Sequence, residues 1–346
     1  MNDTAARQLL LAAVGPTASR ATTPDGLLAR LRMIQLDPLD RIGTNADLVA
    51  MARGDFRRGE VHEARGFEHV AKERCLLPPE AFPAYRDEAR RRTHWRHTRA
   101  MQQVPEAVCD AVLAEVTERG PVLSRQLSDH GRIPRTGAGG WSSAGKLGSL
   151  ALKVLAARCE LVVTGRQGKE RIYDLPSRAL PEVADAPAGD FTSFALAERV
   201  AACGLLSLHA GPWWGGLQHV RKGPHGDFVR VEVGGRPFLT TEAHLEARDT
   251  PDDVLRILGP LDPLLWNRGL VEHLFGFRYL WEVYKPAAKR EWGYYVCPLL
   301  RNGRFVGRVE ARWNGTTIDV EQLWWEGEPH QDALEAALAR HTKLLC

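Results

Sequence analysis

Two runs in this 346-residue sequence predict an α+β fold. Residues 106–173 order themselves as helix, short helix, helix and hairpin, and residues 293–325 hold strand-type runs around a strong turn dipeptide. The first order is that of a winged helix, and the second indicates an antiparallel β-rich C-terminal region.

The N-terminal stretch MNDTAARQLLLAAVGPTASR has no basic residue ahead of its short apolar run, so it reads as a first helix rather than a signal peptide. A second helix is expected over Pro24 to Met33, and a third near Leu39 to Ala52. Glu106 to Arg119 repeats apolar residues at helical spacing through Val108, Val112, Leu113 and Val116, then stops at Gly120-Pro121. Ser124 is placed to cap a short helix ending near His130-Gly131. After the Gly-rich segment PRTGAGGW, Ser143 to Arg158 carries one apolar stripe through Leu147, Leu150, Ala151, Val154 and Leu155. Leu161 to Thr164 and Arg171 to Tyr173 then flank a turn at Gly165 to Gly168, which makes the wing.

Pro- and Ala-rich residues 175–190 read as a linker, and Asp249-Thr250-Pro251 marks a second break. Tyr279 to Tyr284 alternates in character like a strand. Asn302-Gly303 tolerates positive φ at both positions, so Gly293 to Leu300 and Arg304 to Arg312 are expected to pair as a hairpin. Ile318 to Trp325 adds a strand, and residues 332–345 form a closing helix. The tryptophan pairs 213–214 and 324–325 read as core packing.

Composition narrows the class. Hydrophobic residues make up 44%, enough for real cores. No apolar run approaches the ~18–20 residues of a membrane span. The six cysteines show no CxxC spacing, which argues against a zinc ribbon and suits a reducing cytosol. Net charge is only +3, but 38 of the 46 basic residues are arginine. A GC-rich genome explains such a bias, and so does bidentate phosphate contact. Arg86 to Arg99 concentrates six arginines, Arg96 among them, with His94, Trp95 and His97 between; the segment reads as a solvated face or a phosphate-tracking surface. Lys146 and Lys153 share one face of the third winged-helix segment, while Arg166, Lys169 and Arg171 decorate the wing. Basic residues on those two elements suit phosphate contact, although winged helices also serve as protein–protein modules. Lys289-Arg290 could likewise meet phosphate or sit in a solvated loop.

One short segment could carry chemistry. In Ile34-Gln35-Leu36-Asp37-Pro38 the proline disfavours the α region at Asp37. In an extended chain Gln35 and Asp37 point to one side and Ile34 and Leu36 to the other. An amide and a carboxylate projected together can bind and activate one water. The competing reading is turn chemistry, with Asp37 capping the helix that follows.

The residues at 35–37 resemble the Gln-x-Asp signature of the AlkZ/YcaQ-type bacterial DNA glycosylases. FEHVAKERCLLP from Phe67, TGRQGKERIYDLP from Thr164, the long LDPLLWNRG…CPLL segment at 261–300 and GRFVGRVEAR at 303–312 are similar to that family's segments in the same order. The resemblance implies tandem winged helices. The chain is read as 1–103 (helical/winged-helix, carrying the motif), 104–182 (winged helix), 183–250 (a short, degenerate winged helix, a departure from the fuller third one the family often has) and 251–346 (β-rich). The resemblance also implies a monofunctional glycosylase acting on N7-alkylated purines in double-stranded DNA, bulky adducts and interstrand crosslinks included. Asp37 would activate a water and stabilise the developing cation, and Gln35 would hold that water. Asp at the second position resembles the broader-acting branch. No lysine lies beside the pair, so a Schiff-base step is not suggested. No cofactor, metal, membrane or obligate protein partner is expected: histidines 62, 69, 94 and 97 match no zinc spacing. The expected location is the cytoplasm, at the nucleoid while acting. A regulator using the same modules without catalysis is the alternative, since it has no need for Gln35 and Asp37 to converge.

Overall fold

The structure is a computed structural model describing residues 1–91, 101–133, 145–209, 211, 217–218, 221 and 225–346. It is α+β, with four small open antiparallel sheets.

Helix α1 (Asp3–Val14) starts where Asn2 accepts the Ala5 amide, and buries Ala6, Leu9, Leu10 and Val14. Helix α2 (Pro24–Leu31) has Thr23 as cap and proline in its first turn; it ends on Arg32 at φ 62°. Strand β1 (Ile34–Gln35) follows at once. Helix α3 spans Asn45–Arg53, later than expected from the sequence. Its start is set by Thr44, which exchanges side-chain and backbone hydrogen bonds with Asp47 in a capping box.

Strands β2 (Phe67–Val70) and β3 (Arg74–Leu77) form a hairpin before helix α4 (Phe82–Arg91). Helix α5 (Glu106–Arg119) matches the periodicity. Strand β4 (Val122–Leu123) leads into a single 3-10 turn at Ser124–Gln126. That turn replaces the short helix expected up to Gly131: the Ser124 hydroxyl bonds Ser149, and the Gln126 side chain bonds back to Leu123. Helix α6 (Leu147–Ala157) follows, and the expected start of that helix at Ser143 and the PRTGAGGW segment lie outside the described residues. The hairpin expected as the wing is β5 (Val162–Gln167) and β6 (Glu170–Asp174), turning at Gly168-Lys169, further along than expected because Arg166 stays in register with Arg171. Helices α7 (Pro176–Ala179) and α8 (Phe191–Cys203) come next.

Strands β7 (Leu206–Ser207), β8 (Val229–Val233) and β9 (Arg236–Thr240) repeat the pattern of a short strand and a hairpin. Among the described residues three sheets are three-stranded, β1-β3-β2, β4-β6-β5 and β7-β9-β8, and each puts its last strand in the centre. After helix α9 (Glu242–Glu246) comes an antiparallel run of β10 (Arg256–Ile257), β11 (Val296–Arg301), β12 (Arg304–Trp313) and β13 (Ile318–Trp325). Helix α10 (Arg268–Phe275) sits within it in sequence, and α11 (Gln331–Leu345) closes the chain. Asn302 and Gly303 have φ of 50° and 67°, as their hairpin turn requires.

The expected strand at Tyr279–Tyr284 is absent. Side chains take the place of a ladder there: the Tyr279 hydroxyl donates to the Val296 carbonyl (2.7 Å), and the Glu282 carboxylate accepts the Glu291 and Trp292 amides. Burial would raise the Glu282 pKa, but Lys285 and those two amides pull it down to about 2.

The chain divides into two compact units. One comprises Met1–Ala64, Lys72–Arg74 and Leu196–Cys346; the other comprises Arg65–Ala71 and Cys75–Ala195. The first is organised around a buried ion pair. The Arg53 guanidinium makes two bonds to Asp262, at 2.7 and 2.8 Å, with both side chains fully buried. Arg53 also donates to the Val14 and Val49 carbonyls, and Asp262 accepts the Leu264 amide. In the second unit Glu68, almost wholly buried, accepts from Arg166 (2.8 Å) and Arg171 (2.7 Å). Burial would raise the Glu68 pKa, yet Arg171 and Arg166 together bring it below the ordinary value.

Two stability outcomes follow from these pairs. Asp262→Asn leaves the Arg53 charge buried without its counter-charge, so a loss of about 3–5 kcal/mol is expected in denaturant unfolding. Glu68→Gln should cost less, because Arg166 and Arg171 remain partly hydrated at 19% and 26% exposure. The stabilisation by Glu68 is present above the ordinary carboxylate pKa and is lost as pH falls through its depressed folded value. Melting temperature measured against pH should therefore show an acid limb that Glu68→Gln weakens.

Candidate active site

The left-handed turn at Arg32 reverses the chain out of α2 and drops Met33 and Ile34 into the core. The Leu36 amide donates to the Arg74 carbonyl (2.8 Å), so the extended conformation expected from Pro38 continues past β1.

Gln35 is buried and held at both ends. Its carbonyl accepts from the Asn45 side chain (2.8 Å), and its side-chain Oε1 accepts from Lys72 Nζ (2.8 Å). Asn45, at the first position of α3, accepts the Leu261 amide on its Oδ1 (3.0 Å). The Leu261 carbonyl accepts from the Trp266 indole (2.9 Å), and the Lys72 ammonium lies 4.8 Å from the centre of that indole. Gln35, Asn45, Leu261, Trp266 and Lys72 thus form a closed circuit. Gly259 makes room for it, since a Cβ there would come within 2.5 Å of Asn45 Oδ1.

Lys72 was not found from the sequence, which shows no lysine within thirty residues of the motif. The turn between β2 and β3 delivers it. The expectation that no lysine lies beside the pair is therefore corrected.

Asp37 is half-buried. Its carboxylate accepts the Leu39 amide (2.9 Å) and closes a local turn, while Thr44 caps α3, so Asp37 is not a helix cap. Burial raises its pKa above the ordinary value, and the Leu39 hydrogen bond offsets part of that rise. Tyr295 is a second residue that sequence reasoning missed. Its buried hydroxyl has no hydrogen-bond partner among the described residues. Burial first, then the neighbouring Cys297, Tyr279, Asp37 and Asp40, push its pKa well above the ordinary value, so the hydroxyl stays protonated in the field of Asp37.

A cavity of about 900 Å³ in the same unit is lined by Lys72, His209, Arg236, Trp266, Asn267 and Arg268. In the other unit, a cavity of about 1030 Å³ carries Arg86, Arg90, Arg91 and Arg158 in its lining.

The cations singled out for phosphate contact have different fates. Arg96 lies outside the described residues. Lys146, immediately before α6, and Lys153 within it are exposed, as is Lys169 at the wing turn. Arg166 and Arg171 are clamped on Glu68 and hold the wing to β2, which departs from their expected role as outward-facing cations. Lys289 is exposed, while Arg290 stacks on Tyr294 at 4.9 Å and donates to the Lys285 carbonyl. Among the described residues no three His, Cys, Asp or Glu side chains cluster as metal ligands. None of the described helices is long and apolar enough to cross a membrane.

With this geometry in hand, two comparisons bear on the chain. A solved structure, the Streptomyces sahachiroi DNA glycosylase AlkZ, superposes with a TM-score of 0.59 over 98% of this chain and 94% of its own, at 16% sequence identity. At that identity the likeness speaks for the fold. The family model described as DNA glycosylase AlkZ-like matches residues 28–344, a span that includes Gln35, Asp37, Asn45, Lys72, Trp266 and Tyr295. The chain belongs to the AlkZ-like DNA glycosylase family.

Proposed function

We propose that this DNA glycosylase hydrolyses the N-glycosidic bond of N7-alkylated purines in double-stranded DNA, and that bulky adducts and interstrand crosslinks are within its range. The observation that carries the reading is a half-buried Asp37 carboxylate of raised pKa, two residues from an amide locked in place by Lys72 and Asn45.

An N7-alkylpurine is already cationic, so it leaves without a strong general acid. The bond from C1′ to N9 breaks, and its electron pair neutralises the base. A water oxygen bonds C1′ as its proton passes to Asp37. Before that transfer the Asp37 anion stabilises the oxocarbenium-like charge on the sugar, and burial strengthens the attraction by excluding water. Gln35 holds the attacking water. The products are a free base and an intact abasic strand. We read residues 1–103, 104–182, 183–250 and 251–346 as the functional divisions of the chain, the first carrying catalysis. Lys146, Lys153 and Lys169 are assigned to phosphate contact on the second, and Lys289 on the last. A cytoplasmic site of action fits a repair enzyme of this kind.

Asp37→Asn keeps the shape and can still accept the Leu39 amide, but it removes the charge. Single-turnover excision from N7-methylguanine duplex should fall at least about a hundredfold, the usual scale for such a group. Stability should move the other way. Because the folded pKa of Asp37 is raised, its stabilising contribution is complete at low pH and is lost as pH rises through that value, so the neutral-pH anion costs stability. Asp37→Asn should therefore match or exceed the wild-type melting temperature near neutral pH. Full activity in this variant would return Asp37 to turn chemistry and leave the excision without an assigned catalytic residue.

The excision rate of the wild type should decline on the acid side as Asp37 becomes protonated, at a pH above the ordinary aspartate value. Strand nicking should need added heat or base; spontaneous nicking with borohydride trapping of the protein, abolished by Lys72→Met, would show a lyase instead.

A further inference from the structure

Taking Gln35 and Asp37 as the pair that holds the water, we propose that Lys72 is a positioning residue that sets which end of the Gln35 amide faces the reaction. An ammonium has three N–H donors and no acceptor. The atom it meets at 2.8 Å is therefore the amide oxygen, and the Gln35 NH2 must point the other way. Gln35 then acts on the water as a hydrogen-bond donor. The water receives an N–H on one lone pair, gives a proton to Asp37, and keeps its second lone pair for C1′. An inverted amide would present its oxygen instead, compete with Asp37 for the water's protons, and turn the lone pairs away from the sugar.

The neighbours of Lys72 are arranged to keep it in this role. Only 8% of the residue is exposed. Its charge rests on Trp266, whose indole is pinned to the Leu261 carbonyl. Leu261 in turn fixes Asn45, which fixes the Gln35 backbone. With main chain and amide oxygen both held, the amide has one orientation.

A merely structural lysine, tethering the β2–β3 turn, makes different predictions. Gln35→Glu retains and strengthens the tether, since a carboxylate pairs with Lys72, but it has no NH2 to offer. The positioning role predicts a melting temperature at or above wild type, with single-turnover excision down at least about tenfold on the plateau of the pH profile. Lys72→Met should lose roughly tenfold or more in the excision step with DNA binding little changed, and Lys72→Arg, which restores a donor, should recover most of it. Near-wild-type excision by Gln35→Glu would overturn the proposal, as would a folded Lys72→Met that excises normally. If Lys72→Met does not fold, Gln35→Glu decides alone. An inert Asp37→Asn alongside an active Gln35→Glu would reject the role of Lys72 while leaving the role of Asp37 intact; an active Asp37→Asn would reject Asp37 as the catalytic carboxylate, the reading on which this proposal rests.

Discussion

The buried pair between Arg53 and Asp262 is the constraint on which the candidate site depends. Two full charges in a dry interior are tolerated only when their geometry is good and their remaining groups are bonded. Here the fork is bidentate, and the Val14 and Val49 carbonyls and the Leu264 amide take further bonds. The pair therefore fixes the end of α1, the end of α3 and the segment at residues 261–264 against one another. A hydrophobic replacement could fill the same volume, but it would not set the register of three segments with comparable precision. The residue before Asp262 is Leu261, and its amide and carbonyl are the two points at which the Gln35 circuit is anchored.

Charge is handled in opposite ways in the two units. Glu68 is buried with two arginines that lower its pKa, so its ionisation supports the fold. Asp37 is half-buried with only an amide to help, so its ionisation costs stability. An uncompensated half-buried carboxylate weakens the fold at neutral pH, and under the proposed hydrolysis it is the group that faces the developing cationic centre. Lys72 completes the contrast: its ammonium meets the Gln35 amide oxygen and the face of the Trp266 indole.

Much of the chain was legible as sequence because local rules agree with the tertiary fold there. The apolar spacing of α5, the Asn302-Gly303 turn and the strand run of β13 each follow from backbone preferences of a few residues. The departures occur where a side chain overrules the local signal. At 279–284 the alternating pattern is real, but Tyr279 and Glu282 bond to distant backbone and no ladder forms. At 39–44 a continuous helix is prevented by the reciprocal Thr44 and Asp47 cap. On the wing, Arg166 and Arg171 looked like surface cations because nothing in their own segment reveals Glu68, about a hundred residues earlier.

By itself the sequence determined the α+β class, the extended Gln-Leu-Asp-Pro segment and the residues that carry its amide and carboxylate, because these depend on contacts within a few positions. Only the tertiary structure decided the state of those groups. The orientation of the Gln35 amide is set by Lys72, 37 residues away, and its backbone by Asn45 and, through it, Leu261. The rise in the Asp37 pKa comes from burial by surrounding elements. Hydrogen bonding and desolvation act between atoms that are close in space, and closeness in space across such separations is a property of the folded chain.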